Sequence, residues 1–319
     1  MSVYNYPFPT QPQYLAIWLS YQNQEHIADL VCPEVPVEAE TFKYYKYNKE
    51  DFFRITETQV GRLGQPNQVE FGGTEETAFV VDHGLDAFVP QKDIDNAPPG
   101  YDPRAQHIYG ITERVKLARE KRVADLFTTA GNYAASNRQT LSGSSQFSHA
   151  DSDPFDLIMT AMDGMLVRPN IAILNRPSWT KLRRNPKLTA ALASPANGNS
   201  STTSANGAPA SLQAVAELLE LDRIYIGAAW NTTTKEGQTA SYTRLWGNHM
   251  ALLHQRPMAS LRNGGITFAA TAAYGPPVAG TMFDPRIGLR GAYQCRAGNS
   301  LRELVVANDA GYLLSNVIP

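Results

Sequence analysis

The side chains that could act together in a reaction are few, and their spacing is poor. His149 and Asp151 follow closely on Ser144 and Ser145, the residue types of a nucleophile, a base and an orienting carboxylate. The segment Gly143-Ser144-Ser145 nevertheless lacks the GxSxG elbow that holds a serine hydroxyl out on a strained strand-to-helix turn. Asp151 and Asp153 could pair as carboxylates or open a calcium loop, but the other ligands of a DxDxDG loop are missing, and a helix cap accounts for Asp153. Glu25-His26 stands alone where an HExxH zinc helix would need a second histidine one turn on. The six histidines, His26, His83, His107, His149, His249 and His254, are scattered, and His249 and His254 are expected on opposite faces of one strand. Cys32 and Cys295 are far apart, which suits two buried thiols better than a metal site. Neither GxGxxG nor GxxxxGK[ST] occurs, so no loop is built to let backbone amides converge on a phosphate. Asn231-Thr232-Thr233 matches a glycosylation sequon by residue type only. No catalytic, cofactor-binding or metal-binding residue is assigned.

The elements that would have to position such groups point elsewhere. Residues 1–38 carry Pro7, Pro9, Pro12, Pro33 and Pro36, which forbid a long helix and leave room for a short one at Tyr14–Tyr21. Extended, such an arm reaches on the order of 100 Å, and it is expected to lie on a neighbouring subunit. Phe42-Lys43-Tyr44-Tyr45-Lys46-Tyr47 and Thr77–Val81 are β-prone runs separated by Gly61, Gly64, Pro66, Gly72 and Gly73, which predicts a long two-stranded excursion needing a partner. Lys43, Lys46 and Lys49 interleave with aromatics as on a nucleic-acid face, but Glu40, Glu50 and Asp51 offset their charge.

Asp102-Pro103 starts a helix running to about Tyr133. Its apolar face, Ile108, Ile111, Val115 and Ala118, continues through Val123, Leu126, Phe127 and Ala130 after a five-residue step that rotates the stripe, with Arg114, Lys116, Arg119, Lys121 and Arg122 expected on the polar side. A second helix is predicted from Pro154 to Asp163, a strand at Asn170–Leu174, broken helix over 175–192 and an exposed mobile loop over 194–210. A helix at Leu212–Leu221, strands at Arg223–Gly227 and Tyr242–His254, and short β-runs beyond Ile266 complete an α+β chain.

Composition narrows the function classes. At 319 residues with 43% hydrophobic side chains, the chain can build a substantial core. A net charge of -2 argues against a dedicated nucleic-acid binder. No basic segment followed by an apolar run opens the chain, and no apolar stretch approaches the roughly 18 residues of a membrane span. Only 18% of residues are charged while Pro, Tyr and Phe are plentiful, a composition that does little to keep one copy apart from another.

Several short pieces then occur in a telling order: Tyr21-x-Asn23-x-x-x-Ile27-Ala28-Asp29, Pro33-x-x-Pro36-Val37, the Lys43–Tyr47 strand, Asn175-x-x-x-Trp179-x-x-Leu182 with Asn185-Pro186, Val215-Ala216-x-Leu218-Leu219, Ile226-Gly227-x-Ala229 and Leu245-Trp246-Gly247-Asn248. In this order the chain resembles, over nearly its whole length, the major capsid protein family of tailed phages with the HK97-type fold, in the branch called capsid protein E. The resemblance implies an N-terminal arm over 1–38, an extended E-loop over 39–90, a peripheral domain over 91–174 with a spine helix at 103–133, an axial domain over 175–255 and return strands over 256–319. It implies hexamers and pentamers tiling an icosahedral shell, the virion capsid, around double-stranded DNA held by weak contacts, assembled in the host cytoplasm without membrane or cofactor. The intersubunit contacts it suggests are Tyr14, Trp18, Tyr21, Phe42, Tyr44, Tyr45, Tyr47, Arg62, Phe79, Arg114 and Arg119. Relatives with a built-in scaffold carry a long charged segment before the arm, so any scaffolding protein here is expected to be separate, alongside a portal or decoration protein. Some relatives weld subunits through a Lys-Asn bond, for which Lys43, Lys46 and Lys49 are candidates by position alone. The alternatives are an encapsulin-like nanocompartment shell of the same fold, and a hydrolase built on His149, Asp151 and a serine.

Overall fold

The computed structural model describes residues 8–47, 55–62, 64–69, 73–193, 210–235, 237–256 and 266–319. Two sheets and one long helix organise it. A four-stranded sheet has the order β1 (Glu34–Val37), β11 (Ala269–Asp284), β12 (Ala292–Val305), β4 (Val81–Pro90). A five-stranded sheet has the order β5 (Arg138–Thr140), β13 (Gly311–Ser315), β10 (Met250–Leu253), β6 (Ile171–Asn175), β7 (Arg223–Gly227). Two further pairs stand apart as ribbons, β2 (Thr41–Tyr47) with β3 (Gly73–Phe79), and β8 (Trp230–Thr232) with β9 (Tyr242–Arg244).

The helices are α1 (Pro12–Ser20), α2 (Ala28–Val31), α3 (Gln91–Asp95), α4 (Pro103–Thr128), α5 (Pro154–Asp163), α6 (Arg176–Leu182), α7 (Pro186–Ala193) and α8 (Leu212–Leu218). Helix α4 starts as the sequence predicts, with the Asp102 carboxylate accepting from Arg104 N at 3.0 Å and Pro103 in the first turn. It stops at Thr128, short of Tyr133, because downstream side chains take its last carbonyls. Asn132 Nδ2 donates to Leu126 O and the Tyr133 hydroxyl to Phe127 O, both at 2.7 Å.

The rotated apolar stripe has a structural meaning. Ile108, Ile111 and Val115 pack with Tyr14, Trp18, Val89, Ala279 and Ala297 against the four-stranded sheet. Val123, Ala124 and Phe127 pack with Ile171, Ile173, Ala251, Leu253 and Leu313 against one face of the five-stranded sheet. One helix therefore spans two cores, and the step in its stripe marks the crossing. Ala118, expected on the apolar face, is exposed, and the buried residues at the step are Arg119 and Glu120. The other face of the five-stranded sheet, including Ala172, Leu174, Ile224 and Leu252, is covered by α5 through α8. Strand β6 is buried throughout because its alternate side chains enter both layers.

The C-terminal β-runs are not short. β11 and β12 span 16 and 14 residues, with the Gly275-Pro276-Pro277 interruption taken up as an irregularity between Tyr274 and Val278. Conversely, the Tyr242–His254 region is two short strands, β9 and β10, and His249 and His254 lie outside both. Strand β4, inside the span assigned to the extended loop, is paired with β12 along its whole length. β13 joins the five-stranded sheet although its neighbours β11 and β12 do not, so the chain crosses between the sheets after residue 255 as well as before it.

Candidate assembly surfaces

The root of the β2–β3 ribbon is fixed to the body, and the described residues beyond it are largely exposed. Phe42, Tyr44 and Ala78 share one face and pack on Ala270, Ala272 and Leu304. The Tyr44 hydroxyl donates to Glu76 at 2.6 Å, and burial together with that carboxylate raises its pKa. Lys43 pairs with Glu75 at 2.8 Å across the strands. Beyond this root the described residues of 55–69 contain no strand or helix, and Ile55 is 99% exposed. An apolar side chain wholly in water, on a segment with no ladder to hold it, is unfinished structure in a single copy.

The arm is different. Described residues 8–38 lie on the chain's own body. Gln11 N donates to Ala279 O at 3.0 Å, and a Cβ on Gly280 would come within 1.9 Å of Pro9 O, so glycine is what lets the arm lie flat on β11. Tyr14 and Trp18 sink against α4, and Lys116 caps that contact with its ammonium over the Trp18 and Tyr21 rings. Each buried ring contributes at most about 4 to 6 kcal/mol by the area it removes from water. Further on, β1 pairs in parallel with β11.

Two charged side chains of α4 lock the arm. Glu120 is fully buried and accepts from Ile27 N at 3.0 Å, Ala28 N at 2.8 Å and Trp246 Nε1 at 2.7 Å. The Arg119 guanidinium pairs with Asp29 and with Glu34, the latter at 2.7 Å, and Cys32 O accepts from it at 3.3 Å. Burial pushes the Cys32 thiol up to about 12, so it stays protonated beside Thr271. Sequence reasoning placed Arg119 on the polar side and left Glu120 unnoticed. The signal that could have found them is the step in the stripe, which turns those two positions inward.

Among the suspected contacts, Tyr14, Trp18, Tyr21, Phe42, Tyr44 and Arg119 are therefore buried within their own chain and leave almost no side-chain area for a neighbour. Phe79, 59% exposed beneath the Arg302 guanidinium, and the exposed Arg62 and Arg114 remain available. The side chains of Tyr45, Lys46 and Tyr47 lie outside the described residues, as do Lys49 and nearly all of the 194–210 loop.

The residues of the hydrolase reading do not assemble. His149 Nδ1 is 3.7 Å from the Asp151 carboxylate, too far for a hydrogen bond, and accepts instead from Asp151 N at 3.2 Å. Asp151 is 87% exposed, and the Ser145 hydroxyl closes a capping box with Ser142. Ser144, Ser145 and Asp151 line a concavity of about 540 Å³ that His149 does not line. The described residues hold no group of three or more His, Cys, Asp or Glu able to bind a metal, and no helix long and apolar enough to cross a membrane.

The comparisons agree with this picture of a structural subunit. No family model matches the chain. It is 42% identical to the major capsid protein of Pseudomonas phage JBD67, over 98% of this chain and 99% of that one. Among solved structures it is similar to a phage-related protein of Bordetella bronchiseptica RB50, at a TM-score of 0.73 and 20% identity, covering 98% of both chains. It is also similar to the mature capsid of bacteriophage PhiM1, at a TM-score of 0.57 and 11% identity, over 99% of this chain and 91% of that one. The two-sheet body with its long helix is the HK97-type capsid fold, the relatives are structural proteins and not enzymes, and the chain belongs to the major capsid proteins of phages.

Proposed function

We propose that copies of this chain form hexamers and pentamers that close into an icosahedral shell around double-stranded DNA. The observation that carries this reading is the exposed, unladdered 55–69 segment on a firmly rooted ribbon. Laid across a neighbour, it would gain backbone partners and apolar cover that the described residues of its own chain do not give it. Residues 39–80 then act as the extended loop between copies, α4 as the spine of the peripheral domain, and 175–255 as the axial domain around each capsomer centre. The arm acts first within its own subunit, as a brace that sets the height of α4 over β11. A separate scaffold, portal or decoration protein fits this scheme as a further partner.

The test is expression of the chain alone, followed by negative-stain microscopy with particle mass measured alongside. Closed shells, tubes or five- and six-membered rings are the expected result. A chain that stays monomeric both alone and beside its phage's candidate scaffolding proteins would overturn the reading.

A further inference from the structure

Between Asp163 and Glu217 the sequence holds six basic residues, Arg168, Arg176, Lys181, Arg183, Arg184 and Lys187, and no acidic one, although the chain as a whole carries a net charge of -2. The structure gathers five of the six on helices α6 and α7 and the turn joining them. Ser178, Trp179, Leu182 and Leu188 turn the inner side of this pair onto the core of the five-stranded sheet, while Arg176, Lys181, Arg184 and Lys187 are exposed. Arg168 is neutralised by Asp163 and Glu220, and Lys187 stands 3.8 Å from Asp153, which marks the edge of the patch. Among the described residues, Arg176, Lys181, Arg183 and Arg184 have no carboxylate within ion-pair distance, and the buried Nε of Arg183 has no acceptor. Four cations within nine residues of chain, Arg176 to Arg184, without a paired carboxylate raise the local positive potential, a cost that an anionic partner would relieve.

The patch is also rigid. Asn175 Oδ1 caps α6 by accepting from Ser178 N at 2.7 Å. The buried Asn185 accepts from Lys187 N at 3.0 Å at the start of α7 and donates to Ser152 Oγ at 2.9 Å. Arg183 O accepts from Ala210 N at 3.0 Å, so the turn is held from both sides. No large hydrophobic side chain is exposed between Leu166 and Leu212 among the described residues. A protein partner docks on an apolar centre with a polar rim, whereas a phosphate backbone needs cations and little else.

We propose that the outer face of α6, the Arg183-Arg184 turn and the first turn of α7 form a phosphate-binding surface for double-stranded DNA. This rests on the reading of the chain as a shell around DNA and names the part of the subunit that meets the phosphates. The contact is independent of base sequence.

The probe is a labelled 20-base-pair duplex, titrated by fluorescence anisotropy with unassembled full-length chain between 50 and 200 mM salt. Each phosphate contact contributes about -0.9 to the slope of log affinity against log salt. The triple variant Arg176→Ser, Lys181→Ser, Arg184→Ser is expected to make that slope shallower by about 2 to 3. A control of equal charge change, Lys92→Ser, Arg138→Ser, Lys235→Ser, is expected to leave it within about 1 of the original. The same shift in both variants, or an original chain that does not bind the duplex, would overturn the proposal. So would tighter binding of polyglutamate than of duplex, which would make the face a protein-docking site. Microscopy of all three proteins separates the two readings: intact shells with no loss of duplex binding in the patch variant refute the patch alone, whereas failure of the unaltered chain to form shells both alone and beside candidate scaffolding proteins refutes the shell.

Discussion

Arg119 and Glu120 are adjacent in α4, and each satisfies its charge against a different part of the arm. Arg119 holds the half-exposed Asp29 and Glu34 from above, while Glu120 turns inward to the amides that open α2 and to the indole of Trp246. Trp246 in turn needs Gly227 beneath it, since a Cβ there would fall 2.1 Å from the ring. A buried carboxylate with three N–H donors is tolerated because each donor replaces a water it has lost. The isosteric Glu120→Gln variant aims an amide NH₂ at those donors and leaves at least one unpaired. Its expected cost is about 3 kcal/mol, read as a lower urea midpoint at unchanged slope. Trp246→Phe, which removes one donor and puts a smaller phenyl in place of the buried indole, is expected to cost about 2 to 4 kcal/mol. A midpoint for Glu120→Gln equal to that of the original chain would show that the carboxylate does not hold the arm.

At the scale of elements, what the sequence conveyed and what it did not have the same origin. The alternation in Phe42–Tyr47 and the glycines beyond it predicted a ribbon with a long tip, and the β2–β3 register confirms the ladder from Thr41↔Phe79 to Tyr47↔Gly73. The same reasoning assigned Tyr14, Trp18 and Tyr21 to a neighbour, because a proline-rich segment with aromatics shows that it must lie on something but not on which copy. Here Gly280 decides, by opening a place on the chain's own sheet. Deleting residues 1–30 therefore strips aromatic cover from α4 and unseats Glu120, so that a truncated chain loses stability before assembly is ever tested. The ribbon allows a cleaner separation. Replacing residues 48–72 by Asn-Gly closes the ladder at Tyr47 and Gly73 with a two-residue turn. The shortened chain is expected to unfold in urea within about 0.5 kcal/mol of the original, yet to form no closed shells by microscopy. Shells of normal size from it would remove the far part of the ribbon from the assembly scheme.

At the scale of the whole molecule, α4 joins the core on the four-stranded sheet to one core of the five-stranded sheet, and this was legible from the step in the stripe together with the alternation of helix and strand. The two long strands were not, because Gly275-Pro276-Pro277 reads as a break when only local propensity is weighed, and tertiary pairing carries β11 and β12 across it. The joint between the cores also sets how the fold responds to acid. His83, on β4, has its pKa lowered by burial and by the Arg122 guanidinium, and His249, beside the five-stranded sheet, has its pKa lowered by burial alone. Nδ1 of His249 is buried without a partner among the described residues, and the ring borders a cavity of about 10 Å³ with Phe127 and Trp246. Both folded histidines prefer the neutral ring, while in the unfolded chain they take up protons near pH 6.5. Below that value the unfolded state binds more protons, so stability is full above pH 6.5 and falls as pH drops through 6.5 toward the lower folded values. Asp86, held below the ordinary carboxylate range by Arg296, keeps its contribution until the pH falls below about 4. Urea midpoints of the unassembled chain are therefore expected to fall between pH 7.5 and 5.5, and a His83→Gln, His249→Gln double variant to flatten that slope while keeping the drop below about pH 4. A midpoint that holds steady or rises on acidification to pH 5.5 would mean that the neutral imidazoles do not stabilise the joint between the two cores.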